Sequence, residues 1–176
     1  MNEPRYKAQP LSRADIRELA AEYRQKLNLT GVAYVDILSL MENVFPVLYA
    51  KAGFNYSYET REVMGNNHGL TDPRTGQIMI REDVYQNAYD GKGRDRMTIA
   101  HELAHFILHD GVTIGLARAS MDENIPPYRD PEWQATCFAA EFLMGAEVIK
   151  NMTPEQIAER CGVSLEAARY QKSKIK

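Results

Sequence analysis

Near the middle of the chain two histidines stand four residues apart with a glutamate beside the first, in His101-Glu102-Leu103-Ala104-His105. They lie inside a strongly helical stretch, Arg94 to His109, among Met97, Ile99, Ala100, Leu103, Ala104, Phe106, Ile107 and Leu108. The apolar flanks predict a largely buried helix. Two imidazoles and a carboxylate on such a helix need polar partners. Residues four apart share one helix face, about 40° from each other and about 6 Å along the axis. Both imidazoles can therefore reach one ion, at about 2.0–2.1 Å from each nitrogen. Glu102 lies about 100° round from His101. That is too far round for easy ligation, but it suits a general base acting on water.

A third ligand must come from elsewhere. Glu132, near the start of a predicted helix over Pro131 to Met144, is the best candidate. A carboxylate from a second helix gives a His₂Glu set with one position open. Thr136, four residues on, shares a similar face and could hydrogen-bond a ligand. Glu141 competes on the same helix but points about 180° away from Glu132, so only one of the two can serve. Cys137 lies about 140° round from Glu132 and reads as a small core residue. His109 is eight residues past His101, about 12 Å along a continuous helix, so the two cannot share an ion. Phe106-Ile107-Leu108 offers no glycine turn to bring His109 back, so it reads as a core residue or as support for a ligand.

The rest of the chain reads as α+β: a mainly helical domain, with a small antiparallel sheet beside the motif helix. Ser12 caps a helix from Arg13 to about Leu27, with Asp15 in its first turn. A shorter helix fits Val35 to Glu42. Phe45 to Ala50 reads as a strand whose Pro46 confines it to an edge or its first residues. Asn66 to Thr71 and Gln77 to Arg81 read as strands around a turn at Asp72-Pro73-Arg74-Thr75-Gly76. The stretch from Asp110 to Asp130 reads as irregular. Two short helices, Pro154 to Arg160 and Leu165 to about Lys172, follow caps at Thr153 and Ser164. The expected organisation is a domain over residues 1–150 and a helix-turn-helix-like segment over 151–176.

Composition narrows the chemistry. The 176 residues carry 21 Lys plus Arg against 24 Asp plus Glu, a net charge of −3. That balance disfavours nucleic acid or an anionic membrane as the main partner. Two cysteines, Cys137 and Cys161, rule out a disulfide scaffold and a Cys-cluster metal site. A metal site must then use His and carboxylates, and two of the four histidines form the motif. The apolar runs fall short of a membrane span, and Met1-Asn2-Glu3-Pro4-Arg5 leads into no signal-peptide core. A cytoplasmic protein is expected.

Three blocks resemble the ImmA/IrrE family of HExxH zinc-dependent proteins. They are Arg94 to His109, Glu132 to Met144 with its Phe138-Ala139-Ala140, and, most weakly, Thr153 to Arg169. The resemblance covers most of residues 30–170. It implies a thermolysin-like zincin fold and a metallo-endopeptidase. His101, His105 and Glu132 would hold zinc, manganese or another divalent ion, and Glu102 would act first as base and then as acid. It also implies a protein substrate, a helix-turn-helix repressor of a phage or mobile element, whose cleavage releases transcription. The chain departs from the family pattern at Ala104, where Gly is common, at Thr136, where Asn is common, and at Gly145, where Pro is usual.

Two other readings compete. One is a DNA-binding module built on the C-terminal helices, where Ala158, Gly162, Val163 and Ser164 have helix-turn-helix spacing and the last residues are basic. Glu155, Glu159 and Glu166 offset that charge. The other is a metal-binding regulator that captures a repressor without cutting it. For a peptidase, Tyr128, Arg129 and His68 are candidate oxyanion donors, and the strand over Gln77 to Arg81 could pair with substrate backbone.

Overall fold

The computed structural model describes residues 6–72, 74–109 and 124–175, together with the backbone of 117–118. The N-terminal part holds strand β1 (Tyr6–Lys7), helix α1 (Arg13–Lys26) and the short helices α2 (Ile37–Ser39) and α3 (Phe45–Leu48). Next come strand β2 (Asn55–Glu59), helix α4 (Arg61–Met64), strands β3 (Gly69–Asp72) and β4 (Gln77–Arg81), and helix α5 (Glu82–Tyr89). The motif helix is α6 (Gly93–His109). Strand β5 (Ala117–Arg118), helix α7 (Pro131–Leu143) and the short helices α8 (Ala146–Ile149), α9 (Pro154–Cys161) and α10 (Leu165–Ser173) follow.

Local chemistry sets the helix ends. Ser12 and Asp15 form a reciprocal capping box on α1, and Thr153 and Gln156 form one on α9. The Asp130 side chain accepts from the Glu132 amide and starts α7, with Pro131 in its first turn. Ile16 and Ala20 of α1, Ile99 and Leu103 of α6, and Phe138 and Leu143 of α7 are almost fully buried in one core. Helices α1 and α6 both pack on α7, so the motif helix and the Glu132 helix share a buried face.

The expected strand over Phe45 to Ala50 is instead helical. A π-helical turn over Leu40–Val44 continues α2 and runs into α3. Ile37, Leu38, Met41 and Phe45 are all buried, so helical spacing puts the apolar side chains inward. Pro46 sits in the first turn of α3, just past the π-helical turn. The third strand is β2, in a stretch for which the sequence predicts no strand. The sheet is therefore mixed rather than purely antiparallel. Its order is β2-β4-β3, with β2 parallel and β3 antiparallel to β4. The expected hairpin is present, with Asp72 opposite Gln77. The Asp72 carbonyl accepts from Thr75 and Gly76, and Gly76 takes φ +71°. Pro73 and most of the Asp110 to Asp130 stretch lie outside the described residues.

The C-terminal helices are tied to the body. Buried Arg96 of α6 donates to the carbonyls of Gly162 (2.9 Å) and Val35 (2.7 Å) and to the Tyr34 hydroxyl (2.6 Å). A Cβ on Gly93 would come within 2.4 Å of the Val163 carbonyl carbon, so the start of α6 sits directly against the α9–α10 turn. Lys172 donates to the Ile149 and Lys150 carbonyls.

Candidate metal centre

Helix α6 presents His101 and His105 on one face, and the first turn of α7 brings Glu132 to them. The Nε2 atoms of the two histidines are 3.0 Å apart. Glu132 Oε2 lies 3.1 Å from His101 Nε2, and Glu132 Oε1 lies 3.2 Å from His105 Nε2. These are the three residues the sequence reading selected, and they come together from two helices.

The donor set fits a divalent ion. Two imidazole nitrogens 3.0 Å apart cannot face each other lone pair to lone pair, so a proton or a cation must lie between them. Four ligands held tetrahedrally at about 2.0–2.1 Å stand roughly 3.3 Å from one another. The observed separations are close to that spacing. Two imidazoles and one carboxylate leave a fourth position free.

Other contacts orient these groups. Thr136 Oγ1 lies 3.3 Å from His101 Nδ1, the supporting contact expected from its place on α7. His105 Nδ1 lies 3.0 Å from His109 Nδ1, and His109 Nε2 lies 2.9 Å from Gln134 Oε1. His109 therefore supports His105. Glu141 faces the other way, as its spacing predicted. It is buried against α1 and pairs with Arg13 (3.3 Å) and Arg17 (3.0 Å). Cys137 is also buried, which pushes its thiol up to about 11.

Glu102 is held from the sheet side. The Thr71 hydroxyl of β3 donates to Glu102 Oε2 at 2.7 Å. Gly69, two residues earlier on β3, lies against the same side chain: a Cβ there would come within 2.5 Å of Glu102 Cγ and 2.8 Å of Oε1. Thr71, Gly69 and Gln134 were missed in the sequence. The only local signal was the alternation of Gly69 and Thr71 on one face of a short strand.

The electrostatics follow from burial and these contacts. Burial pushes the Glu102 carboxyl up, against the Thr71 hydrogen bond and the nearby histidines. Glu132 is held well below the usual carboxylate range by its hydrogen bonds to His101 and then His105. Burial pulls His101 down, but the Glu132 hydrogen bond and the charge of Glu102 outweigh it and leave it raised. Burial lowers His109 to about 4, so it is neutral near pH 7.

Strand β4 lies between β2 and β3, so both its edges are occupied. The backbone-pairing role expected of Gln77 to Arg81 is thereby excluded. The strand at the sheet's edge beside α6 is β3. Tyr128 and Arg129 lie in a 3₁₀ turn, Pro127–Arg129, and His68 immediately precedes β3. None of their side chains takes part in the contacts described around Glu102 and the triad.

Residues 51–173 match the family model Peptidase_M78, described as the IrrE N-terminal-like domain. The match spans the motif helix, Glu132 and both C-terminal helices. No curated protein matches the chain. Among the described residues no helix is long and apolar enough to cross a membrane.

Proposed function

The chain belongs to the IrrE N-terminal-like peptidase family, and from that premise we propose that it is a metal-dependent endopeptidase acting on a regulatory protein in the cytoplasm. The observation that carries this reading is the convergence of His101, His105 and Glu132 beside a buried, oriented Glu102. His101, His105 and Glu132 would hold the ion, with zinc the first choice and manganese an alternative. When bound, the ion supplies Lewis acidity at the scissile carbonyl and makes water a better acid.

The chain's own residues supply the proton chemistry. Thr71 takes Oε2 of Glu102, and Oε1 is the oxygen that would meet the water. Glu102 removes a proton as the water oxygen adds to the carbonyl carbon. It then delivers that proton to the amide nitrogen as the C–N bond breaks, leaving an acid and an amine. The raised pKa of Glu102 favours the protonated form needed for the second step.

Two features suit an extended protein segment. The β3 edge lies next to the motif helix and can accept substrate backbone. A cavity of about 580 Å³ opens beside His101 and Thr136, walled by Met97, Trp133, Met144 and Tyr170. It suits a bulky apolar side chain of the cleaved segment. The family resemblance favours a helix-turn-helix repressor of a phage or mobile element as the substrate.

The test is incubation of the metal-loaded protein with a repressor encoded beside it, with Glu102→Gln as control. Cleavage by the unaltered chain alone supports the proposal. Binding of the repressor by both proteins, with no cleavage by either, rejects the peptidase reading in favour of capture.

A further inference from the structure

Three helices wall the cavity beside the candidate metal centre. Helix α6 contributes Met97 and His101, four residues apart on one face. Helix α7 contributes Trp133, Ala140 and Met144, again at helical spacing. Tyr170 comes from α10. The floor is buried and apolar, with Ala140 almost covered and Met144 fully so. A small side chain at Ala140 leaves room between the helices, a volume of about 580 Å³. An apolar cavity of about 150 Å³ already holds a benzene ring. The space therefore admits a whole phenylalanine or leucine side chain. His101 belongs both to this wall and to the triad, so the cavity begins at the centre itself. A peptide whose carbonyl sits at the triad reaches the cavity with a side chain flanking the scissile bond, because neighbouring Cα atoms are only about 3.8 Å apart.

We propose that this cavity takes the large apolar side chain beside the scissile bond, and that Tyr170 of the C-terminal helix pair decides which side chains it admits. Tyr170 is held from α1. The Arg13 guanidinium lies 5.7 Å from the centroid of the Tyr170 ring and 5.9 Å from that of Trp133. At that separation a cation attracts both rings. Arg13 Nη2 also lies 3.5 Å from the Tyr170 hydroxyl, while buried Glu141 pairs with Nη1 at 3.3 Å. One arginine thus joins the two aromatic walls, and it comes from outside the matched residues 51–173. Tyr170 is half-exposed, as suits a residue at the mouth of an open pocket. The pair α9–α10 thereby gains a role other than packing or DNA binding. A recognition helix offers its N-terminal residues to a groove. The cap of α10, Ser164, instead abuts Gly93 of α6. Tyr170 selects the substrate, and Arg13 is a positioning residue acting through it.

This inference rests on the peptidase reading for the identity of the occupant but not for the pocket, and two measurements separate them. Trp133 is the only tryptophan of the chain, so its emission reports what enters the cavity. The full-length, metal-free protein is titrated with capped Ala-X-Ala tripeptides in which X is Phe, Leu, Ala or Asp. The Phe and Leu peptides should give a saturable change in emission, with affinities about 10-fold or more above that of the Ala peptide. The Asp peptide should give none. Tyr170→Ala should weaken the Phe peptide by about 10-fold. Ala140→Leu fills the floor and should abolish the response, and a thermal melt shows that each variant folds. No saturable response to Phe in the unaltered chain, an equal response to all four peptides, or unchanged Phe affinity in Tyr170→Ala overturns the proposal. A response to a DNA duplex that Tyr170→Ala removes, with none to the peptides, overturns it in favour of nucleic acid. In the cleavage assay above, mass spectrometry of the products should find a large apolar residue on one side of the cut bond. A cut flanked on both sides by small or charged residues also overturns the proposal. A saturable Phe response with no cleavage by the unaltered chain supports the pocket and counts only against the function proposed above.

Discussion

Gly69 and Glu102 are packed so closely that no side chain fits between them. A Cβ on Gly69 would sit 2.5 Å from Glu102 Cγ, 2.8 Å from Oε1 and 2.9 Å from Cδ. Real Cβ contacts are not that short, so Glu102 would have to move. Gly69 does not have the positive φ of the chain's turn glycines, and alanine suits its backbone. The effect of Gly69→Ala therefore falls on the glutamate. A displacement of order 1 Å in a catalytic group can cost about 10²-fold in rate. We expect kcat of Gly69→Ala to fall by about that factor, while zinc affinity, measured by chelator competition, stays unchanged. Equal kcat values would show that Glu102 is not the base.

Thr71 should tune the acid limb of the pH profile. Its hydroxyl donates to the ionised form of Glu102 and lowers the pKa that burial raises. A base must be unprotonated to start the reaction, so activity falls as pH drops through the pKa of Glu102. Thr71→Val removes the donor and keeps the shape. Glu102 then holds its proton to a higher pH, and the acid limb of kcat/KM should move to higher pH. A shift the other way, or none, would separate Thr71 from the proton chemistry.

Glu102→Gln should trade activity for stability. A carboxyl whose folded-state pKa is raised favours folding most when protonated, and that contribution is lost as pH rises through the folded pKa. At pH 7 the ionised side chain therefore weighs against the fold. The neutral amide avoids this burial cost and can still accept from Thr71. The metal-free variant should melt at a higher temperature than the parent at pH 7. The gap should close below about pH 4, where Glu102 is protonated in both folded and unfolded chains. Peptide hydrolysis should fall by about 10²–10⁴-fold. Thermal unfolding at the two pH values checks the first claim and a cleavage assay the second.

Arg96 makes the clearest stability prediction away from the centre. Its guanidinium is buried, donates to Gly162, Val35 and Tyr34, and lies 4.0 Å from the centroid of the Tyr34 ring. Arg96→Ala leaves buried carbonyls without a donor and removes the link between α6 and the α9–α10 turn. Hydrogen bonds to a charged group contribute about 1.5–3 kcal/mol each, though not additively. A loss of about 3 kcal/mol is expected from the urea midpoint, a larger effect than an exposed pair such as Arg74–Asp72 would give.

How much of this was legible in the sequence depends on how local each relationship is. His101, Glu102 and His105 are set by helix geometry over five residues, and the apolar flanks identify the helix. Glu132 was legible because a cap, a first-turn proline and an apolar run locate the start of α7. Glu141 was separated from it by angle alone. Thr71, Gly69 and Gln134 were not legible. Thr71 and Gly69 meet Glu102, and Gln134 meets His109, across 25 or more residues, through a hairpin or a helix face whose docking no local pattern encodes. Phe45 to Ala50 was misread because a six-residue apolar run fits a strand as well as a helix. The burial of Ile37, Leu38 and Met41 decided it. Strand β2 was missed because its tyrosines are only partly buried, and its parallel pairing with β4 depends on the intervening hairpin.

Metal linkage gives a test that needs no substrate. An ion that binds the folded chain alone stabilises it by RT ln(1 + [L]/Kd), about 2.7 kcal/mol at a free concentration of 100 Kd. Zinc should therefore raise the melting temperature of the chelator-stripped protein, and the rise should grow with the logarithm of concentration. Glu132→Ala removes one of the three donors. It also removes the contacts to His101 and His105, but the Glu132 side chain is 72% exposed and solvent screens them, so the substitution should cost the metal-free fold only modest stability. It should abolish most of the zinc-dependent rise. Glu102→Gln leaves all three donors in place and should keep that rise. The two variants thus separate binding the ion from using it. A full zinc-dependent rise in Glu132→Ala would mean that the ion is held by other groups.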